Sequence, residues 1–157
     1  MNNKTLKLLS DFVSIQSVST DGGSKGNPGP SSIGGVGYID GEKIFDFKKS
    51  IGIATNNDAE YQALIEALEK IRSTNIEIRN NSQNLNFKNV KQIQFFSDSR
   101  LMVNQVKGLF KVKNGRIKEY ILIIRGLEQE INLPITYQYV PREENVEADK
   151  LVNQIYL

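Results

Sequence analysis

The chain has 157 residues, 39 % hydrophobic and 24 % charged, with seven Phe and six Tyr; a chain of this size buries roughly two-thirds of its unfolded surface, so one domain around one core is expected. It contains no cysteine and no histidine, which excludes disulfides, thiolate or imidazole metal ligands, and nucleophile pairs built on histidine. Its 20 basic and 18 acidic residues leave a net charge of +2, a balance that neither requires nor forbids a polyanionic partner.

In chain order, Leu6, Leu8, Leu9 and Phe12 are interrupted by Lys7 and Asp11, so the start is not read as a secretory leader. No window approaches the roughly 18 apolar residues of a membrane span. A cytoplasmic protein with no membrane partner is expected, residues 1–13 forming an N-terminal extension and 14–157 the folded domain. A first strand is read from Ser14 to Thr20, running into Asp21-Gly22-Gly23-Ser24. Strands over Ile33 to Tyr38 and Ile44 to Ile53 flank Asp40-Gly41, a strong hairpin signal.

From Asn57 to Arg72, Leu64, Ala67, Leu68 and Ile71 recur at helical spacing. Ser73 to Asn89 is long for a loop, and Ile76/Ile78 against Leu85/Phe87 suggests a short hairpin inside it. Val90 to Ser97 reads as a fourth strand. Amphipathic stretches over Ser99 to Val106 and Ile117 to Ile131 follow, then a last strand from Ile135 to Val140. A final helix is read from Asn145 to Ile155, with Ala148, Leu151, Val152 and Ile155 as its stripe. Three strands, a helix, a strand, two helices, a strand and a helix predict an α/β fold. Its five-stranded mixed sheet pairs three early antiparallel strands with two later parallel strands joined by helical crossovers.

With His and Cys absent, any catalysis falls to carboxylates, hydroxyls, amines or bound ions. Asp21 and Asp98 follow strands, where open α/β sheets place their sites. At 100° per residue, Glu60 shares a helix face with Leu64, Ala67 and Ile71, in the middle of the stripe meant for the core. A carboxylate there is costly unless paired or bound to a cation. Asp149 lies at the edge of the last helix's stripe. Taken singly, Asp21 also reads as a turn former, Asp98 as a helix N-cap and Asp149 as a solvated surface residue. Were the four to converge, oxygen-only ligands would suit magnesium or manganese over zinc.

Four ordered stretches resemble the motifs of type 1 ribonucleases H. They are Asp21-Gly-Gly-Ser-Lys-Gly-Asn-Pro-Gly-Pro-Ser-Ser-Ile-Gly-Gly-Val-Gly-Tyr38, Thr55-Asn-Asn-Asp-Ala-Glu60-Tyr, Ser97-Asp98-Ser99 with Asn104-Gln105-Val106-Lys107-Gly108, and Pro141-Arg-Glu-Glu-Asn145-Val-Glu-Ala-Asp149. The resemblance spans about residues 14 to 156 and implies a ribonuclease H-like fold. It also implies an endonuclease that hydrolyses the RNA strand of RNA/DNA hybrids to 5′-phosphate and 3′-hydroxyl ends. Asp21, Glu60, Asp98 and Asp149 would bind two Mg2+ ions, with Mn2+ as substitute, one ion generating the attacking hydroxide and the other stabilising the leaving 3′ oxygen.

By the same resemblance Gly22, Gly23, Ser24, Asn27, Thr55, Asn56, Asn57, Ser99 and Arg100 would contact substrate. Thr55 would meet a DNA phosphate, Asn27, Asn56 and Asn57 the minor groove, and Arg100 a nearby base or phosphate. The glycine-rich run would let the backbone approach a nucleic-acid strand, or serve only as a turn. Lys107, Lys111, Lys113, Arg116 and Lys118 form either a basic contact surface or an ordinary solvated face. The short Gly108 to Gly115 segment leaves out the basic protrusion of some members. The short link from Tyr139 to Asn145 leaves out the loop histidine of many bacterial ones, a subgroup feature, with Arg142, Glu143 or Glu144 as possible substitutes. A monomer with no obligate protein partner is expected. A hybrid-binding module without catalysis and the nuclease domain of a reverse transcriptase are the rival readings.

Overall fold

The computed structural model describes residues 14–80 and 90–154. The expected N-terminal extension, Leu85, Phe87 and Ile155 lie outside them. Five strands, β1 (Ser14–Ser24), β2 (Gly29–Ile39), β3 (Glu42–Ala54), β4 (Val90–Ser97) and β5 (Ile135–Tyr139), form one sheet in the order β3-β2-β1-β4-β5. The first three pair antiparallel, whereas β1–β4 and β4–β5 are parallel. Helix α1 (Asn56–Asn80) follows β3, α2 (Arg100–Val106) and α3 (Gly115–Ile131) link β4 to β5, and α4 (Val146–Gln154) closes the described chain. This is the predicted mixed sheet of the ribonuclease H-like fold.

The β2–β3 hairpin turns on Asp40 and Gly41, both at positive φ (50° and 80°), the backbone that an Asp-Gly hairpin turn requires. Adjacent strand residues point to opposite faces, and β1 shows how the sheet is covered. A Cβ on Gly22 would collide with the Ala59 carbonyl of α1, whereas one on Gly23 would face Val152 of α4. Helix α1, with α3 packed on it, thus covers one face and α4 the other. The close approach of α4 also uses Gly34, where a Cβ would lie 2.9 Å from the Leu151 Cβ. The core lies under α1, where Leu64, Ala67, Leu68 and Ile71 meet Val18 and Ile93 of the sheet.

Two expectations need correction. The segment after Arg72 is no long loop up to residue 80: α1 continues through Asn80, so Ile76 and Ile78 are helical and cannot pair as a hairpin. Asn75 there is a weak helix former, and the helix just before it is tied to α3 by the Arg72–Glu130 ion pair at 2.8 Å. Strand β1 does not stop at Thr20; Asp21 to Ser24 keep pairing with β2 after the β4 partner ends at Ser97. The link from β5 to α4 is short, as expected, and Arg142–Glu144 within it form a 3-10 turn.

Candidate active site

The end of the β1–β4 pairing creates the site. Thr20 is opposite Ser97, the last paired positions, so the next residues, Asp21 and Asp98, stand side by side where the two strands diverge. Helix α1, drawn close by Gly22, brings Glu60 from just past its first turn. Carboxylate oxygens of Asp21, Glu60 and Asp98 lie within 4.8 Å of one another. Asp149, on α4, borders the same cleft, and its charge acts on Asp21. A cleft of about 500 Å³ contains all four, and its walls include Gly22, Gly23, Ser24, Asn56 and Arg142 from the sequence-predicted set.

Burial dominates the electrostatics. Desolvation, followed by the charges of Asp98 and Asp149, pushes the Asp21 carboxyl up to about 7. Glu60, only 8 % exposed, is held well above the usual glutamate range by desolvation and then by Asp21 and Asp98. Desolvation also raises Asp98, with the Arg142 guanidinium acting in the opposite direction. The Gly22 backbone acts in the lowering direction on both Asp21 and Glu60, which offsets only part of this. Two carboxylates 4.8 Å apart repel by about 3 kcal/mol at an effective dielectric of about 20. Glu60 Oε2 is buried without a hydrogen-bond partner. An orphaned anionic oxygen among other acids fits a hard divalent cation, whose all-oxygen ligand preference the donor set matches.

The other predicted residues divide by role. Asn27 Oδ1 accepts from the Asn56 amide (3.0 Å) and Asn56 Oδ1 from the Ser24 amide (2.9 Å), so these side chains brace the turn after β1. Thr55 and Asp58 exchange hydrogen bonds as a capping box at the start of α1. Ser99, rather than Asp98, caps α2, its Oγ accepting from the Met102 amide at 3.2 Å. Asn27, Thr55, Asn57, Ser99, Arg100, Glu143 and Glu144 do not line the cleft. Gly22 does, but its missing side chain is required by α1. Arg116 of the basic cluster is paired with Asp58 at 2.7 Å; burial disfavours the Asp58 anion, but Thr55 and Arg116 outweigh it and hold that carboxyl low. Lys107, Lys111, Lys113 and Lys118 are exposed.

Sequence reasoning missed Lys25, Tyr139, Val152 and Asn153 in the cleft walls. Asn153 was accessible to it, being one helical turn from Asp149. The missed anchor is Asn145, buried, whose Nδ2 donates to the Thr20 carbonyl at 2.9 Å. Its own carbonyl accepts from the Asp149 amide, so one residue ties the start of α4 to β1 beside Asp21.

Comparison with known proteins agrees with this arrangement. The RNase H family model matches residues 15–156. Ribonuclease HI of Halobacterium salinarum is 32 % identical over 135 residues, covering 85 % of this chain and 60 % of that protein. A bifunctional protein of Mycobacterium tuberculosis, Rv2228c, is 33 % identical over 141 residues, covering 87 % of this chain but only 34 % of that protein. The chain therefore spans about a third of its mycobacterial relatives. Among solved structures, LC11-RNase H1 in complex with an RNA/DNA hybrid superposes with a TM-score of 0.76 at 34 % identity, over 88 % of this chain and 94 % of that one. RNase H1 of Halobacterium salinarum gives 0.74 at 31 %, over 90 % and 97 %. With that match running from the first strand to the last helix, and with type 1 enzymes on both sides of the comparison, this chain belongs to the RNase H family as a type 1 member.

Proposed function

We propose that this chain is an endonuclease that hydrolyses the RNA strand of RNA/DNA hybrids, leaving 5′-phosphate and 3′-hydroxyl ends. In this reading residues 14–157 are the ribonuclease H domain, and Asp21, Glu60, Asp98 and Asp149 together hold two magnesium ions, with manganese as substitute. The observation that carries it is the buried acidic cluster with its orphaned Glu60 oxygen, at the place where β1 and β4 diverge in a ribonuclease H fold. A hybrid bound to the similar LC11 enzyme supports the substrate class.

When bound, divalent ions would neutralise the carboxylates, lower the pKa of a water nucleophile and stabilise the leaving oxygen. The chain's own residues supply the rest. Asp21, at the centre of the four, shares its surroundings with each other acid, so its deprotonation near neutral pH governs how readily the set becomes an anionic ligand. Arg142 Nη2, 3.2 Å from Asp149 Oδ1, is the one of the three suggested histidine substitutes that borders the cleft, which supports it as the auxiliary residue over Glu143 and Glu144.

The test is incubation of a labelled RNA/DNA hybrid with Mg2+ or Mn2+, the unaltered chain being compared with Asp98→Asn. Cleavage of the RNA strand by the former alone, with 3′-hydroxyl ends, is expected. Tight binding without cleavage by either protein would sink the proposal in favour of a binding module.

A further inference from the structure

The rim of the cleft carries an aromatic ring that the carboxylate chemistry does not use. Tyr139 ends β5 opposite Ser97, immediately before Asp98. It lines the cleft and is still 38 % exposed. Over its ring lies the Arg100 guanidinium, Cζ 5.0 Å from the centroid. Arg100 opens α2, so two elements that leave the sheet beside Asp98 and Ser97 meet in this pair.

A long exposed arginine normally loses much rotamer freedom when it is ordered. Stacking on an aromatic face restrains the guanidinium in advance and leaves its edge N–H donors outward, the geometry suited to phosphate. The cleft itself is acidic, so a polyanionic strand needs cations at the rim. Arg142 is engaged by Asp149, whereas Arg100 enters none of the ion pairs among the described residues.

We propose that Tyr139 is a positioning residue whose ring holds Arg100 at the cleft rim, where the guanidinium meets a backbone phosphate of the hybrid. This rests on the reading of the site as a hybrid nuclease. Because the ring acts through Arg100, its removal weakens substrate capture and leaves the bond-breaking step alone.

Steady-state cleavage of a labelled hybrid by the full chain tests it, with Tyr139→Leu, Tyr139→Phe, Arg100→Ala and the Tyr139→Leu/Arg100→Ala double variant. A cation–π contact at an exposed site corresponds to a KM increase of about two- to fivefold at unchanged kcat for Tyr139→Leu. Tyr139→Phe, which keeps the ring, retains the parental KM. The double variant is no worse than Arg100→Ala, because both changes remove one interaction. Arg100→Ala also lowers the slope of log KM against log salt by about one. Parental KM for Tyr139→Leu, or additive single effects, would overturn the inference while an active parent leaves the nuclease reading intact; a parent that leaves the hybrid uncut overturns both. Should Tyr139→Leu melt below the assay temperature, Arg100→Lys carries the test: it keeps the charge without the planar stack, so a raised KM supports the inference and a parental KM overturns it.

Discussion

Glu60 is a carboxylate on a face that otherwise builds the core, and it has a measurable consequence. Burial, followed by Asp21 and Asp98, holds it well above the usual glutamate range and favours its neutral form when no cation is bound, and glutamine is nearly isosteric with that form. Glu60→Gln should melt within about 1 kcal/mol of the parent in EDTA, yet lose the thermal stabilisation that Mn2+ gives the parent; differential scanning calorimetry with and without the ion reads both. Asp21 adds a pH dependence. Its folded-state pKa is raised from 3.8 to about 7, so the folded protein binds more protons than the unfolded chain between those values. The associated stability is fully present below the lower value and lost as pH rises through the upper one. In EDTA, melting temperature should therefore fall from about pH 4 to about pH 7, and Asp21→Asn should flatten that slope. A parent whose melting temperature rises across this window would contradict the assignment.

At the scale of elements, two small residues set where the acids go. Gly22 admits the backbone of α1, and any side chain there pushes away the helix that carries Glu60. Gly22→Ala should destabilise by about 1–3 kcal/mol through overpacking, read as a lower urea midpoint, and weaken Mn2+ binding. Asn145 fastens α4 to β1. Asn145→Ala leaves the buried Thr20 carbonyl without that donor, costing about 1–3 kcal/mol, and frees the helix start that places Asp149. The expected signature is a larger loss of Mn2+ affinity than in Asn153→Ala, which lies on the same helix but ties nothing to the sheet; equal losses would mean that Asn145 only stabilises the fold. The number of strands and most helices were readable from sequence pattern, including β4 as Val90–Ser97. The continuation of α1 past Arg72 to Asn80 was not, because Ile76 and Ile78 alternate at strand spacing and Asn75 is a weak helix former.

For the whole molecule, the four acids are drawn from β1, α1, the end of β4 and α4, so an ion bound among them links elements on both faces of the sheet. Ion binding should then act on global stability by mass action, about 2.7 kcal/mol at a hundredfold excess over Kd. Mn2+ at that excess should raise the melting temperature of the parent and leave that of Asp98→Asn nearly unchanged. The same layout explains why β4 to β5 needs a crossover: parallel neighbours cannot be joined by a tight turn, and α2 and α3 supply the connection, with Arg100 opening α2.

The sequence by itself determined the class of chemistry, since a chain without His or Cys has only oxygen ligands to offer a metal, and it singled out Glu60, because helical register is a local property. It also carried four ordered motifs, enough to indicate the family. Only the tertiary structure decided that Asp21 stands at the centre of the cluster, that Gly22 serves helix packing, that Asn145 holds α4 in place, and that Tyr139 and Arg100 meet at the rim. Each of these depends on pairing register or on contacts between residues distant in the chain, such as the 125 positions that separate Thr20 from Asn145. Such distances are set when elements pack, which no local pattern encodes.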